Sequence, residues 1–148
     1  MDVDNGEVEC LMCDVEGEHI VVPTSAMKQI ITLEVSPPPP SAMGFVAGLG
    51  LVEGDVVVAV SLSAVAATAT RAVNGLLFVS ADGLLRFVVV VTRVLSVARV
   101  RLVPHASRPL VRAGRCPPSW FGEALTAGRE PLCALQVAGV FASLKQAA

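Results

Sequence analysis

The apolar positions of this chain fall into short runs punctuated by glycine, proline and acidic turns, and two of the runs do not alternate. Val56–Val60 follows the stretch Ala47–Asp55, AGLGLVEGD, and is β-branched apart from Ala59; Phe87–Arg93, FVVVVTR, has the same character. Such unbroken runs read as strands buried on both faces. The chain is therefore expected to be organised around Val56–Val60, with Gly48, Gly50 and Gly54 permitting a sharp turn ahead of it.

Other segments read as half-buried strands. Val97–Val103, VARVRLV, puts Arg99 and Arg101 on one face and Ala98, Val100 and Leu102 on the other, and Pro104 ends it. His19–Val22 lies between the turn signal Glu16-Gly17-Glu18 and Pro23, and Val8–Val15 is compatible with an edge strand. Ile30–Val35, IITLEV, is rich in β-branched residues. Ala81-Asp82-Gly83 signals a hairpin between Leu76–Ser80 and Leu84–Thr92. Pro37-Pro38-Pro39-Pro40 is a stiff corner, with Ser41–Val46 as a helical turn beyond it.

Helical spacing appears in Ser61–Gly75, where Leu62, Val65, Ala66, Ala69 and Val73 share one face. Ser61 suits the N-cap and Asn74-Gly75 the stop, giving an amphipathic helix of about three turns lined by small residues. Ser119 is expected to cap a short helix carrying Trp120, Phe121 and Leu125. A last helix starts near Pro131, with Leu132, Leu135, Phe141 and Leu144 apolar and Lys145 near its negative end. The fold class is α+β. Its expected divisions are an acidic lead-in over 1–17, a β-rich domain over 18–104, and an arginine- and proline-rich loop with a helical extension over 105–148.

Composition bears first on membranes. Hydrophobic residues make up 53% of the chain, yet the charge-free stretch Ser36–Val52 is broken by the four prolines and Val56–Thr70 is only 15 residues. A spanning helix needs roughly 20 apolar residues, and the acidic start lacks the basic-then-apolar pattern of a signal peptide. No membrane association and a cytoplasmic location are expected, with the nucleus as a second compartment. Net charge is −2, but residues 1–18 carry seven acids and no base, while 86–115 carry seven arginines and no acid. Two solvated faces that attract one another account for this. With no Tyr in the chain and no aromatic between Phe87 and Trp120, nucleic-acid binding is not expected.

Chemistry is sparse. Cys10 and Cys13 have half the spacing of a zinc site, but Cys116 and Cys133 do not form a second close pair, so reduced, unligated thiols and no metal are expected. His105 has no acid nearby in sequence, and neither a G-x-S-x-G elbow nor a phosphate-cradling G-x-x-x-x-G-K-[ST] occurs. The expectation is a protein without catalytic activity or cofactor.

The order of elements resembles a PDZ domain of the circularly permuted kind found in HtrA-type proteases and proteasome regulatory-particle assembly chaperones. The residues that carry the resemblance are Val35-Ser36-Pro37, Ser41-Ala42, Gly50-Leu51, Gly54-Asp55, Val57 and Val60, then Val89–Arg93 and Val100–Pro104, with Gly114 and Cys116 in the tail. It implies a PDZ-like partly open β-barrel or sandwich over residues 18–104, capped by the amphipathic helix. It further implies a chaperone or adaptor, such as a proteasome assembly factor, that binds a partner's extended C-terminal peptide by β-augmentation. The guest would lie beside Ile30, Ile31, Thr32 and Leu33, with Leu62, Val65, Ala66 and Ala69 as the other wall. Backbone N–H groups of Met27, Lys28, Gln29 and Ile30 would hold its carboxylate, with Lys28 adding charge. The alternative is a double-psi-type β-barrel acting as a structural or docking domain, with Ile30–Val35 interior and no groove.

Overall fold

A computed structural model describes residues 6–63, 66–103, 116–126 and 130–147. The chain begins with β1 (Glu7–Val15) and β2 (Glu18–Pro23), crosses to β3 (Gln29–Ser36), β4 (Val46–Val52), β5 (Asp55–Ser61), β6 (Arg71–Val79) and β7 (Arg86–Val91), and then returns through β8 (Arg93–Val103), β9 (Phe121–Leu125) and β10 (Leu132–Leu135) to α1 (Val137–Ala147). The strands form two closed five-stranded barrels, one ordered β1-β2-β10-β9-β8 and the other β3-β4-β5-β7-β6. The second barrel is thus inserted between the second and third strands of the first.

The two barrels share one plan. Read from β8, the first barrel runs β8-β9-β10-β2-β1, the order in which the second runs β3-β4-β5-β7-β6. Each contains one parallel pair in the same place, β10 with β2 and β5 with β7. Equivalent glycines sit in the second strand of each series. A Cβ on Gly48 would collide with the carbonyl oxygen of Ser36 at the end of β3, and one on Gly122 would stand 2.9 Å from that of Val103 at the end of β8. These glycines serve close backbone approach rather than turning. The turn itself is made by Glu53 and Gly54, both at positive φ, the backbone of a tight hairpin joining β4 to β5.

The unbroken apolar runs follow from how the barrels meet. In β7, Phe87, Val89 and Val91 pack into the core between the barrels, while Val88 and Val90 face the interior of the second barrel. β5 divides in the same way, Val58 and Val60 facing the shared core and Val57 and Ala59 the interior. In β1, Leu11, Cys13 and Val15 face the shared core and Cys10 and Met12 the first barrel's interior. Both-face burial of Val57–Val60 is as expected, but its cover is the other barrel. Val56 is 68% exposed.

Several expectations need correction. The described residues of 61–75 do not form the expected helix: Ser61 ends β5, and Arg71–Gly75 lie in β6, paired with β3 and β7. Trp120 ends a short 3-10 turn and Phe121–Leu125 is a strand. Leu132–Leu135 is a strand too, so only Val137–Ala147 of the last helix is helical. β1 is no edge strand, since β2 and β8 flank it. Residues 1–17 and 18–104 are not separate units, because β1 completes the first barrel together with β9 and β10. The α+β class stands, but as two closed barrels and one helix rather than a partly open barrel capped by a helix. His105, Gly114, Pro104 and most of the arginine- and proline-rich loop lie outside the described residues.

The acidic start and the basic run are strand neighbours. Glu7 stands opposite Arg101 and Glu9 opposite Arg99 across β1 and β8, so part of the charge asymmetry is met between neighbouring strands of the first barrel.

Candidate functional site: a polar cleft and an aliphatic barrel end

The residues expected to form one peptide groove are divided by the structure. β3 pairs with β6 from Gln29 to Val35, so that flank is taken by the chain's own backbone. Leu62 is fully buried in the shared core, and Leu33 and Ile31 pack into the second barrel's interior. Met27 packs against the shared core. Lys28, Gln29 and Ile30 are exposed at one end of β3. Thr32, Ala66 and Ala69 line a cleft towards its other end. Val65 lies outside the described residues.

That cleft, of about 690 Å³, opens between the β1–β2 turn and the end of the second barrel. Its walls are small: Ala47, Ala66, Ala67, Ala69 and Ala72 with Val15, Val73, Val90 and Val91. The alanines that read as a helix face are the wall of a cavity. Polar groups converge on it from both barrels. Ser63, almost fully buried, donates its hydroxyl to the Glu16 carboxylate, and Ser61 Oγ lies 3.1 Å from Ser63 Oγ. The N–H of Glu16 donates to Thr92 Oγ1 at 2.9 Å, Asn74 Nδ2 donates to the Thr92 carbonyl at 2.9 Å, and Thr32 Oγ1 donates to Asn74 Oδ1 at 3.3 Å. The crossover is tied down beside it, since the Thr92 N–H donates to the Asp14 carbonyl at 2.8 Å.

The other end of the second barrel is aliphatic. Leu84, Val56 and Leu51, exposed to 87%, 68% and 65%, are the three most exposed large hydrophobic residues described, and Ile30 joins them at 50%. Leu51 and Val56 are direct partners across the β4–β5 hairpin. Arg86, two residues after Leu84, pairs with Asp55 and Glu53 of that hairpin, which fixes the β6–β7 turn beside the hairpin tip. Sequence reading placed Ile30 on a binding edge but passed over Leu51, Val56 and Leu84. The signal for Leu51 and Val56 was their place either side of Val52-Glu53-Gly54-Asp55, where a tight hairpin sets them opposite each other.

Catalytic and metal chemistry find little here. Burial pushes the thiols of Cys10, Cys13 and Cys116 up to about 11, with the Glu9 carboxylate adding to the effect at Cys10, which leaves them unreactive near neutral pH. No cluster of His, Cys, Asp and Glu suited to a metal is assembled among the described residues, and none of their helices is long and apolar enough to cross a membrane.

No family model matches the chain, and no curated protein matches it. Among solved structures, the scaffolding protein TtCheW from Thermoanaerobacter tengcongensis superposes with a TM-score of 0.60 at 12% identity, over 87% of this chain and 88% of that one. The fold is CheW-like. This overturns the PDZ resemblance: the strand, corner and G-L-x-x-G-D segment are the third to fifth strands of a closed barrel, and the described part of residues 61–75 supplies no helix to follow them. At 12% identity the likeness is one of fold.

Proposed function

We propose that this chain is a non-catalytic protein-interaction scaffold or adaptor that works in the cytoplasm, and that the exposed end of its second barrel is the surface a protein partner covers. The observation that carries the reading is the gathering of Leu51, Val56, Leu84 and Ile30 at one barrel end, on a fold shared with a protein described as a scaffold. Burying three or four aliphatic side chains supplies roughly 1.5–3 kcal/mol each, enough to anchor an interface whose rim charges, Glu53, Asp55 and Arg86, are already paired. The buried thiols of Cys10, Cys13 and Cys116 suit a reducing compartment.

A photo-crosslinking residue placed at Leu51 tests this, with one at the exposed Val97 of the first barrel as control. A discrete protein adduct at position 51 and none at 97 supports the proposal. Equal, diffuse labelling at both positions contradicts it.

One further observation favours an extended segment as the guest. Among the described residues β3 pairs with β4 only through Val35 and Ser36, so the Lys28–Leu33 backbone facing away from β6 is the place for a partner strand. Such a strand would run towards the aliphatic end, past Ile30, by the main-chain pairing of β-augmentation.

A further inference from the structure

We infer that the cleft between the β1–β2 turn and the second barrel binds a small oxyanion-bearing molecule, a carboxylate or a phosphate, held by Arg71. The inference is independent of the scaffold reading, since Arg71 stands opposite Val35, at the far end of β3 from Ile30 and the aliphatic surface.

Three observations carry it. The cleft's 690 Å³ lies within the roughly 300–1,000 Å³ of small-molecule sites. Its apolar wall, among the described residues, consists of alanine and valine only, so the long side chains on it are the charged ones, Glu16 and Arg71. The polar groups are unequally committed. The acceptors are occupied: Glu16 by the Ser63 hydroxyl, Asn74 Oδ1 by Thr32, Thr92 Oγ1 by the Glu16 N–H and the Thr92 carbonyl by Asn74 Nδ2. The donors are not. Among the described residues neither the Arg71 guanidinium nor the Thr68 hydroxyl, both on the cleft wall, has a hydrogen-bond or ion-pair partner.

A cleft whose acceptors are satisfied and whose uncommitted groups are donors selects a ligand rich in acceptors. A planar guanidinium matches a carboxylate or a phosphate through two parallel charge-assisted hydrogen bonds, and the Thr68 hydroxyl lines the same cleft. Small walls leave room for the rest of a molecule of a few carbon atoms. Glu16 keeps the site from being a general anion trap, because its carboxylate repels a charge placed near the β1–β2 turn and confines the oxyanion to the Arg71 side.

The test titrates the isotopically labelled full chain with succinate and, separately, with inorganic phosphate, following backbone amides by NMR. The expected result is saturable shifts at Thr68, Ala69, Arg71 and Asn74 with one of the two probes, which also tells a carboxylate site from a phosphate site. Arg71→Gln should weaken binding at least about tenfold, Arg71→Lys less, because the charge stays and the paired geometry is lost. Thr68→Val, which keeps shape and charge, should weaken it too. Shifts with neither probe, shifts that persist undiminished in Arg71→Gln, or shifts centred on Arg99 and Arg101 instead would each overturn the inference.

Discussion

Phe45 and Trp120 occupy equivalent places in the two barrels, and their rings meet with centroids 4.8 Å apart. Each directly precedes the second strand of its series, β4 or β9. The carbonyl of each accepts a matching hydrogen bond, from Ser61 N–H at 2.8 Å and from Gln136 N–H at 2.6 Å. The pair fastens one barrel to the other, and Trp120 is further oriented by its indole N–H, which donates to Ser143 of α1 at 2.9 Å. Trp120→Ala should therefore cost about 3–5 kcal/mol. Because the lost contact is shared, urea unfolding followed by circular dichroism and by NMR amide signals from each barrel should stay a single transition with a lower midpoint. Two separated transitions would mean that the barrels fold independently.

The strand glycines make a sharper comparison. Gly48→Ala drives a methyl group into the Ser36 carbonyl, and overpacking against backbone is expected to cost about 3 kcal/mol. Gly54→Ala meets nothing within 4 Å, and its cost is the positive φ alone, about 1 kcal/mol. Denaturation midpoints of the two variants should fall in that order.

The buried thiols predict alkaline sensitivity. Cys10, Cys13 and Cys116 titrate near 11 in the folded chain against 9.0 when free. A thiol whose pKa is raised by folding stabilises fully below its unfolded value, and that contribution is lost as pH rises through the folded one. Stability should decline between pH 9 and about 11, and less steeply in Cys13→Ala than in the wild type when unfolding is measured across that range.

At the acid end the sign reverses. The Ser80 hydroxyl and the Leu84 N–H, donating to Asp82 at 2.6 and 3.0 Å, hold this exposed carboxyl below the usual carboxylate range. Its contribution is present above the unfolded pKa and disappears as pH falls through the folded one. Asp82→Asn should be less stable than the wild type at neutral pH, and the difference should close in strong acid.

Much of the β architecture could be read from residue pattern, because turn chemistry and side-chain period are local. Gly17, Gly54 and Gly83 mark hairpins that form, and the valine runs, Val56 apart, are covered on both faces as their lack of alternation requires. What failed was non-local. Leu62, Ala66, Ala69 and Val73 have helical spacing, yet β3 and β7 claim Arg71–Val79 as a strand between them, and tertiary pairing overrides a weak local preference. The PDZ resemblance rested on a hairpin leading into a buried strand, which any small barrel can supply. The clue to two barrels was a repeat: an aromatic residue just ahead of a glycine-bearing strand, Phe45 before Gly48 and Trp120 before Gly122.

The scaffold reading depends on the aliphatic barrel end, and one affinity measurement probes it directly. The partner captured at position 51 is titrated against wild-type chain and against Leu51→Glu combined with Val56→Lys. Both side chains are solvent-facing, so circular dichroism and the unfolding midpoint should stay close to wild type while affinity falls at least about a hundredfold. Unchanged affinity in a folded double variant would contradict the account.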